Sequence, residues 1–281
     1  MIDKILDGKK LAKQIREEIK KKVNDLKYDQ DITPGLAVVM VGDDPASASY
    51  VNMKEKACVE AGFYSEVHKL NENISQVQLL SLIDDLNNNT KIHGILVQLP
   101  LPKHIDEKII NERIDPDKDV DGFSPINLGK LFLKQPSFIP CTPKGIIKLM
   151  KHYDITIEGK NAVVIGRSDI VGKPVATLLL HENATVTLCH SKTKSLSLYT
   201  KKADIIVAAI GKANFLTKEM IQEGAIIIDA GTTKLNNKLT GDVDYKAVYE
   251  KVEKITPVPG GVGPMTIAML LENTLEAVLK K

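Results

Sequence analysis

Asn161-Ala-Val-Val-Ile-Gly-Arg-Ser-Asp-Ile-Val-Gly-Lys-Pro174 is the stretch whose reading decides the fold. A short β-branched run ends at Gly166, and an apolar, helix-compatible segment, Val175-Ala-Thr-Leu-Leu-Leu180, follows it. The Gly-spaced loop between them lets backbone N–H groups approach a phosphate at a helix N-terminus, as in Rossmann-type domains. It departs from Gly-x-Gly-x-x-Gly, because only Gly166 and Gly172 remain and Ser168 holds the middle place. NAD-binding folds usually carry an Asp or Glu about twenty residues on, at the end of the next strand. Here that place holds Cys189-His190-Ser191-Lys192-Thr193, with no acid. A carboxylate there would bind the ribose 2′-hydroxyl and repel a 2′-phosphate. Its absence, with Arg167 in the loop, points to NADP. The chain has three arginines (Arg16, Arg113, Arg167) among 38 basic residues, and guanidinium pairs bidentately with phosphate.

Working outward, a new strand and helix alternation begins at Asn161. Its strands are expected at Asn161–Gly166, Ala184–Cys189, Asp204–Ala208 and Ala225–Asp229, with Lys254–Thr256 as a fifth. Upstream, Gly8–Lys27 repeats Leu11, Ile15 and Ile19 between charges, which predicts an amphipathic helix. Gly35–Gly42 reads as a buried strand, Glu66–Leu70 as a second and His93–Gln98 as a third, with helices from Ser47 to Gly62 and over Ser75–Asn88. Asp115–Pro125 reads as a loop, Thr142-Pro143 as an N-cap followed by Pro at N1, and Pro264–Leu279 as a last amphipathic helix. Strands alternating with helices predict parallel sheets covered on both faces, hence an α/β protein. The domains are placed at 1–140 and 141–260, with the helix of 261–281 returning to the first.

The 281 residues suffice for two modest α/β domains. Hydrophobic residues make up 43% and charged residues 26%, as in ordinary globular enzymes. A formal charge of +2 gives no concentrated basic surface for nucleic acid, and the absence of Trp removes the best stacking platform for single strands. Cys58, Cys141 and Cys189 are odd in number and widely spaced, so neither a disulfide framework nor a zinc site is expected, and no other metal motif stands out. The N-terminus lacks the apolar core of a signal peptide, and no apolar run reaches the length of a membrane span. A cytoplasmic protein with no membrane partner is the expectation.

Tyr50 and Lys54 are spaced i, i+4 on the predicted second helix, so both leave one face. Such a pair can be a solvated helix face. It can also carry chemistry, because the helix follows a strand-end loop, where α/β sheets place ligands, and a lysine there supplies charge or acts as acid or base. Gln98 closes the apolar run Ile95-Leu96-Val97 and either faces solvent or holds the lysine ammonium or a substrate amide. Asp117-Lys-Asp-Val-Asp-Gly122 has acids at calcium-loop spacing but lacks the Glu that should follow, so an Asp-rich turn and a substrate-holding Asp121 both remain open. His190 reads as a buried strand-end histidine or a cofactor contact. Pro257-Val-Pro-Gly-Gly-Val-Gly-Pro-Met-Thr266 packs three glycines and three prolines into ten residues, which suits an ordered cleft-lining loop better than a flexible linker.

Taken together these stretches resemble the bifunctional methylenetetrahydrofolate dehydrogenase/cyclohydrolase family. The resemblance rests on Asp43–Lys54, Gly94–Pro102, Lys118–Phe123, Pro140–Pro143, Gly166–Pro174 and Pro257–Thr266, and runs from Gly8 almost to the C-terminus. It implies NADP-dependent oxidation of 5,10-methylenetetrahydrofolate and hydrolysis of the methenyl product, by an N-terminal catalytic domain and a C-terminal Rossmann-type domain. It also implies that Lys54 is the key catalytic residue, that Tyr50 stacks on the folate, that Gln98 tunes the lysine and that Asp121 grips the pterin. Pro259, Gly260 and Gly261 are the further substrate-side candidates. Gly166, Arg167, Ser168, Gly172, Pro174, His190, Ser191 and Thr232 are the cofactor-side ones. A homodimer formed through the Rossmann domain is expected with the family. Ser124 replaces a frequent His, and Ala230 and Thr232 replace the Val and Ile of a frequent Asp-Val-Gly-Ile, the latter pair near the expected nicotinamide site. The alternatives are a monofunctional dehydrogenase, a shikimate-dehydrogenase-type NADP enzyme, and a catalytically dead NADP or folate sensor.

Overall fold

The computed structural model describes residues 4–235 and 238–280. The chain divides into two compact units, one of Lys13–Cys141 with Ile267–Lys281, the other of Met1–Ala12 with Thr142–Thr266.

The first unit takes in most of α1 (Gly8–Gln30), then β1 (Gly35–Val41), α2 (Pro45–Glu60), β2 (Tyr64–Leu70), α3 (Gln76–Asn88), β3 (Gly94–Val97), α4 (Glu107–Arg113) and α5 (Pro125–Phe132). Its three strands pair in parallel in the order β2-β1-β3, each joined to the next through a helix. Central β1 is buried throughout, and Ala37, Val39 and Val41 share a core with Leu79, Ile83 and Leu86 of α3 and Ile95 and Val97 of β3. Helix α2 begins two residues before the expected Ser47, because Asp44 is the N-cap and its carboxylate accepts the Ser47 N–H at 2.7 Å, with Pro45 in the first turn. Beyond β3, the Ile95 N–H donates to Lys118 O at 2.8 Å and Ile95 forms a parallel bridge with Asp119. The segment carrying Asp121 therefore runs beside β3. Gly94 makes room for it, since a Cβ there would lie 2.7 Å from a Val120 methyl. Lys118 is buried and donates to Leu86 O and Asn89 O, using its charge to close the end of α3.

The second unit holds α6 (Cys141–His152), β4 (Asn161–Ile165), α7 (Gly172–His181), β5 (Thr185–Cys189), α8 (Ser197–Thr200), β6 (Ile205–Ala208), β7 (Ile226–Asp229), β8 (Thr233–Leu235), β9 (Lys238–Thr240), α9 (Tyr245–Val248) and β10 (Lys254–Ile255). Helix α10 (Val262–Leu279) begins in this unit and ends in the first. Five strands pair in parallel in the order β10-β7-β6-β4-β5. The order of strands reverses at β4, with β5 added on one side and β6 on the other, and the place between β4 and β6 is the switch point where doubly wound sheets take ligands. Cys189, Ile165, Ala208 and Asp229 end their strands in one register row.

Four readings are corrected. Residues 4–12, placed with the first domain by sequence, cluster with the second unit. Ile5 bridges Ile255 in parallel, the Leu6 N–H donates to Ile255 O at 2.9 Å, and the Ile255 N–H donates to Lys4 O at 2.8 Å, so this segment extends the sheet beside β10. Thr142 is not an N-cap, since α6 already includes Cys141, and its hydroxyl bonds instead to that of Thr266 at 2.9 Å. The hairpin β8–β9 lies after β7, where no strand was expected, because three polar-rich residues a side carry no alternation to read. Finally, α10 is long and apolar enough to cross a membrane by length and composition alone, with mean hydropathy 1.2, although no such run was anticipated. Buried residues line most of it, as in a core helix.

Candidate active site

In the first unit, the strand and helix pattern brings three polar groups to the C-terminal edge of the sheet. Helix α2 follows β1 through the Asp43-Asp44 turn, so its inward face points back over the strand ends. Lys54 is only 8% exposed, yet its ammonium donates to Gln98 Oε1 at 2.9 Å. Gln98 continues β3, its N–H donating to Val39 O at 2.8 Å, and its amide nitrogen donates to Leu99 O at 2.7 Å. That second bond fixes which end of the amide faces the lysine: the oxygen accepts and the nitrogen is occupied. The peptide bond Leu99–Pro100 that follows is cis. Tyr50 lies one turn before Lys54 on α2, half-buried.

Asp121 is the third group. Burial pushes its carboxyl above the ordinary range, opposed by the Lys54 charge and by the Cys141 thiol. Lys54 and Asp121 thus feel each other electrostatically, and Lys54 is bonded to Gln98, so three of the residues singled out by sequence share one place. Asp119 does a different job from the one its spacing suggested. It is 2% exposed, and its carboxylate accepts from the N–H groups of Gly122, Phe123 and Ser124 and from Asn127 Nδ2, at 2.8 to 3.1 Å. Burial still raises its carboxyl to about 6 against those donors. Asp119 therefore ties the loop around Asp121, and the Asp-rich turn reading applies to it. Among the described residues no three His, Cys, Asp or Glu side chains group as a metal site would.

In the second unit, the loop after β4 is a backbone cradle. Gly166 has φ +123°, and a Cβ on it would lie 2.1 Å from Ala209 O; a Cβ on Gly172 would lie 2.2 Å from Gly166 O. Only glycine fits at either place. Ser168 Oγ accepts from the N–H groups of Val171 and Gly172, at 3.2 and 3.3 Å, and so covers the start of α7. Arg167 is exposed, and the acid in this loop, Asp169, is paired with Lys173. Pro174 is buried in the first turn of α7. At the end of β5, His190 Nδ1 accepts the Lys192 N–H at 3.1 Å, which leaves Ser191 and Lys192 exposed at the sheet edge. Thr232 is exposed just past Gly231. Pro259, Gly260 and Gly261 belong to this unit too, folded against the start of α1, where Gly260 O accepts the Lys9 N–H at 2.8 Å. No observation within one unit groups them with Lys54.

Sequence reading missed Asp119 and a buried pair, Asp229 and Asp242. Their side chains take backbone N–H groups from several loops at once. Of the three acids only Asp242 has a glycine beside it, Gly241, so no shared residue pattern marked them.

Comparison with known proteins bears on both units. The catalytic-domain model of tetrahydrofolate dehydrogenase/cyclohydrolase matches residues 6–121, and the NAD(P)-binding-domain model of the same family matches residues 140–281. The bifunctional protein FolD of Nitratiruptor sp. is 56% identical over 277 residues, covering 99% of this chain and 98% of the relative. A crystal structure of the bifunctional FolD dehydrogenase/cyclohydrolase from Campylobacter jejuni superposes with a TM-score of 0.96 at 55% identity, covering 98% of each chain. The Trypanosoma brucei enzyme, solved with NADP cofactor and an inhibitor, superposes with a TM-score of 0.95 at 38% identity, covering 98% of this chain and 97% of that one.

Proposed function

The chain belongs to the tetrahydrofolate dehydrogenase/cyclohydrolase family, and from that premise we propose how its residues divide the work of a bifunctional enzyme. It oxidises 5,10-methylenetetrahydrofolate with NADP and hydrolyses the methenyl product to 10-formyltetrahydrofolate. The first reaction removes a hydride from the carbon bridging two folate nitrogens and leaves a cationic amidinium. The second adds the oxygen of water to that carbon, breaks one C–N bond and releases a proton. The cation is already electrophilic, so the protein has to place water and move protons.

The observation that carries the division is the bond from Lys54 Nζ to Gln98 Oε1, 2.9 Å long, at a sheet edge that also holds Asp121. Gln98 accepts a hydrogen bond from one ammonium N–H and so orients the other two. Lys54 then handles the proton during water addition and ring opening. Asp121, with its raised carboxyl, accepts from or donates to the N–H and carbonyl groups of a pterin. Tyr50, one turn away on the same helix, offers a ring face to the folate's aromatic portion.

The dinucleotide unit fits NADP on its own evidence. Gly166 and Gly172 leave a cradle that a Cβ would fill, Arg167 is free to meet a phosphate, and no acid stands at the end of β5. Bound there, NADP supplies the hydride acceptor. Ser168, His190, Ser191, Pro174 and Thr232 line the rest of that edge in this reading, and Pro259–Gly261 contribute on the substrate side. Homodimerisation is part of the proposal, with edge strand β5 as the place where a second copy packs, since Leu188 on it and Leu180 nearby are exposed. A cytoplasmic location is proposed with it. Neither a nucleic acid nor a membrane partner belongs to the reading.

The test is a single assay. Purified protein is mixed with methylenetetrahydrofolate and NADP, and methenyl and NADPH absorbance are followed separately. NADPH formation with transient methenyl supports both activities. Persistent methenyl would leave the monofunctional dehydrogenase, and no NADPH at all would leave the sensor.

A further inference from the structure

Asp242 is fully buried, and its carboxylate accepts three consecutive backbone N–H groups, those of Ile210, Gly211 and Lys212, at 2.6, 3.1 and 2.7 Å. Consecutive N–H groups converging on one oxygen-bearing group form an anion nest. Nests at the C-terminal edge of a parallel sheet commonly face a ligand phosphate, whereas this one is filled from inside the protein. The nested loop follows β6 directly and leans on the glycine cradle. The Ala209 N–H donates to Ile165 O at 2.8 Å, and Ala209 O occupies the space a Cβ on Gly166 would need. Two loops at the β4/β6 switch point are thus built against one another, and Asp242 fixes the second of them.

Asp242 is in turn fixed by Asp229, the last residue of β7. Its N–H donates to Asp229 Oδ1 at 2.9 Å, the same oxygen accepts the Gly231 N–H at 3.0 Å, and Asp229 Oδ2 accepts the Val243 N–H at 3.0 Å. The Asp229 N–H is anchored to Thr256 Oγ1 at 2.7 Å. Glycines allow the close fit: a Cβ on Gly231 would lie 2.1 Å from Asp242 Cγ, and one on Gly241 would lie 1.9 Å from Asp229 Oδ2. The relay therefore sets the loop after β6 and the turn after β7 together, including the place of Thr232.

We propose that Asp242 is a positioning residue for the dinucleotide: by filling the 210–212 nest it holds the loop after β6 in the shape that NADP requires. The proposal rests on the reading of this unit as the NADP site. Two variants test it, Asp242→Ala, which removes all three acceptor contacts, and Asp242→Asn, which keeps one oxygen for the nest and turns an amide N–H toward another donor. The KM for NADP should rise about tenfold or more in the Asn variant and further in the Ala variant. The rate of hydrolysis of methenyltetrahydrofolate, supplied directly and without NADP, should change far less than that KM. Equal losses of both activities with an unchanged KM for NADP would make Asp242 merely structural and overturn the proposal, as would wild-type kinetics. If the Ala variant does not fold, the Asn variant alone decides by the same readout. The wild-type control keeps the two readings apart, because wild-type protein that reduces no NADP would refute the functional reading instead.

Discussion

Lys54 shows what one residue can reveal. Its sequence context, an i, i+4 partner to a tyrosine on a helix after a strand, allowed both a solvated face and a reactive amine. The structure separates them, because a lysine only 8% exposed and bonded to a glutamine oxygen is not a solvated face. We expect Lys54→Met to lower methenyltetrahydrofolate hydrolysis by about 100-fold or more, the usual scale for a positioned proton-transfer group. Stopped-flow loss of methenyl absorbance measures it, and full retention in a folded variant would remove Lys54 from the mechanism. Asp119 makes a prediction of opposite character. Burial raises its carboxyl from 3.8 to about 6, so between those pH values the folded state holds more protons than the unfolded one and stability falls as pH rises. Relative to Asp119→Asn, the wild type should lose unfolding free energy from about pH 4 to about pH 6 and run parallel above pH 7. Urea titrations of both proteins at pH 4.5 and pH 7.5 check it; a constant difference would mean that the four donors around Asp119 fully offset its burial. Gln98 was legible as a chemistry-bearing type at a strand end and Asp121 as one in an Asp-rich loop. Asp119 and Asp242 were not, because their importance lies in the backbone groups donating to them, which no residue pattern spells out.

Among elements, the glycine loop of β4 and α7 was the most legible, since its requirement is for the absence of a side chain. Gly172→Ala would place a methyl 2.2 Å from Gly166 O, and the cradle has to open to admit it. We expect this variant to keep its fold and to lose NADP reduction by about tenfold or more, with NADP binding followed by fluorescence quenching or calorimetry. Unchanged NADP affinity would place the phosphates elsewhere. The main strands and long helices were also legible, because β-branched runs such as Ile226-Ile227-Ile228 and repeats such as Leu11, Ile15 and Ile19 read as strand and helix. The short hairpin β8–β9 was not, and neither was the start of α6, where Cys141 precedes the Thr-Pro pair that looked like the helix entrance.

For the whole molecule, the sequence pointed to two α/β domains, to a family and to a C-terminal helix returning to the first unit, while it placed the N-terminal residues before Lys13 in the other unit from the one they join. A run of residues at the N-terminus carries no mark of the sheet edge it will join, because that depends on Ile255 being there to receive it. Each unit is assembled from two separate stretches. In the first unit, Asn273 of α10 is buried and its amide nitrogen donates to Val120 O at 2.8 Å and to Ile139 O at 3.0 Å. Both carbonyls flank the Asp121 loop. A chain stopped after Thr266 should therefore become sensitive to proteolysis between residues 119 and 139 and should lose folate turnover. Limited digestion with mass mapping reports it, and wild-type resistance there would show that the segment holds itself.

The same bonds carry a consequence for synthesis on the ribosome. Lys54, Gln98 and Asp121 are all made well before Asn273, so the nascent chain carries these three groups long before the amide that clasps their loop emerges. Completion of this unit is deferred until the intervening dinucleotide unit has been translated. The folate half is thus finished last, by a helix whose first turns belong to its neighbour in the chain.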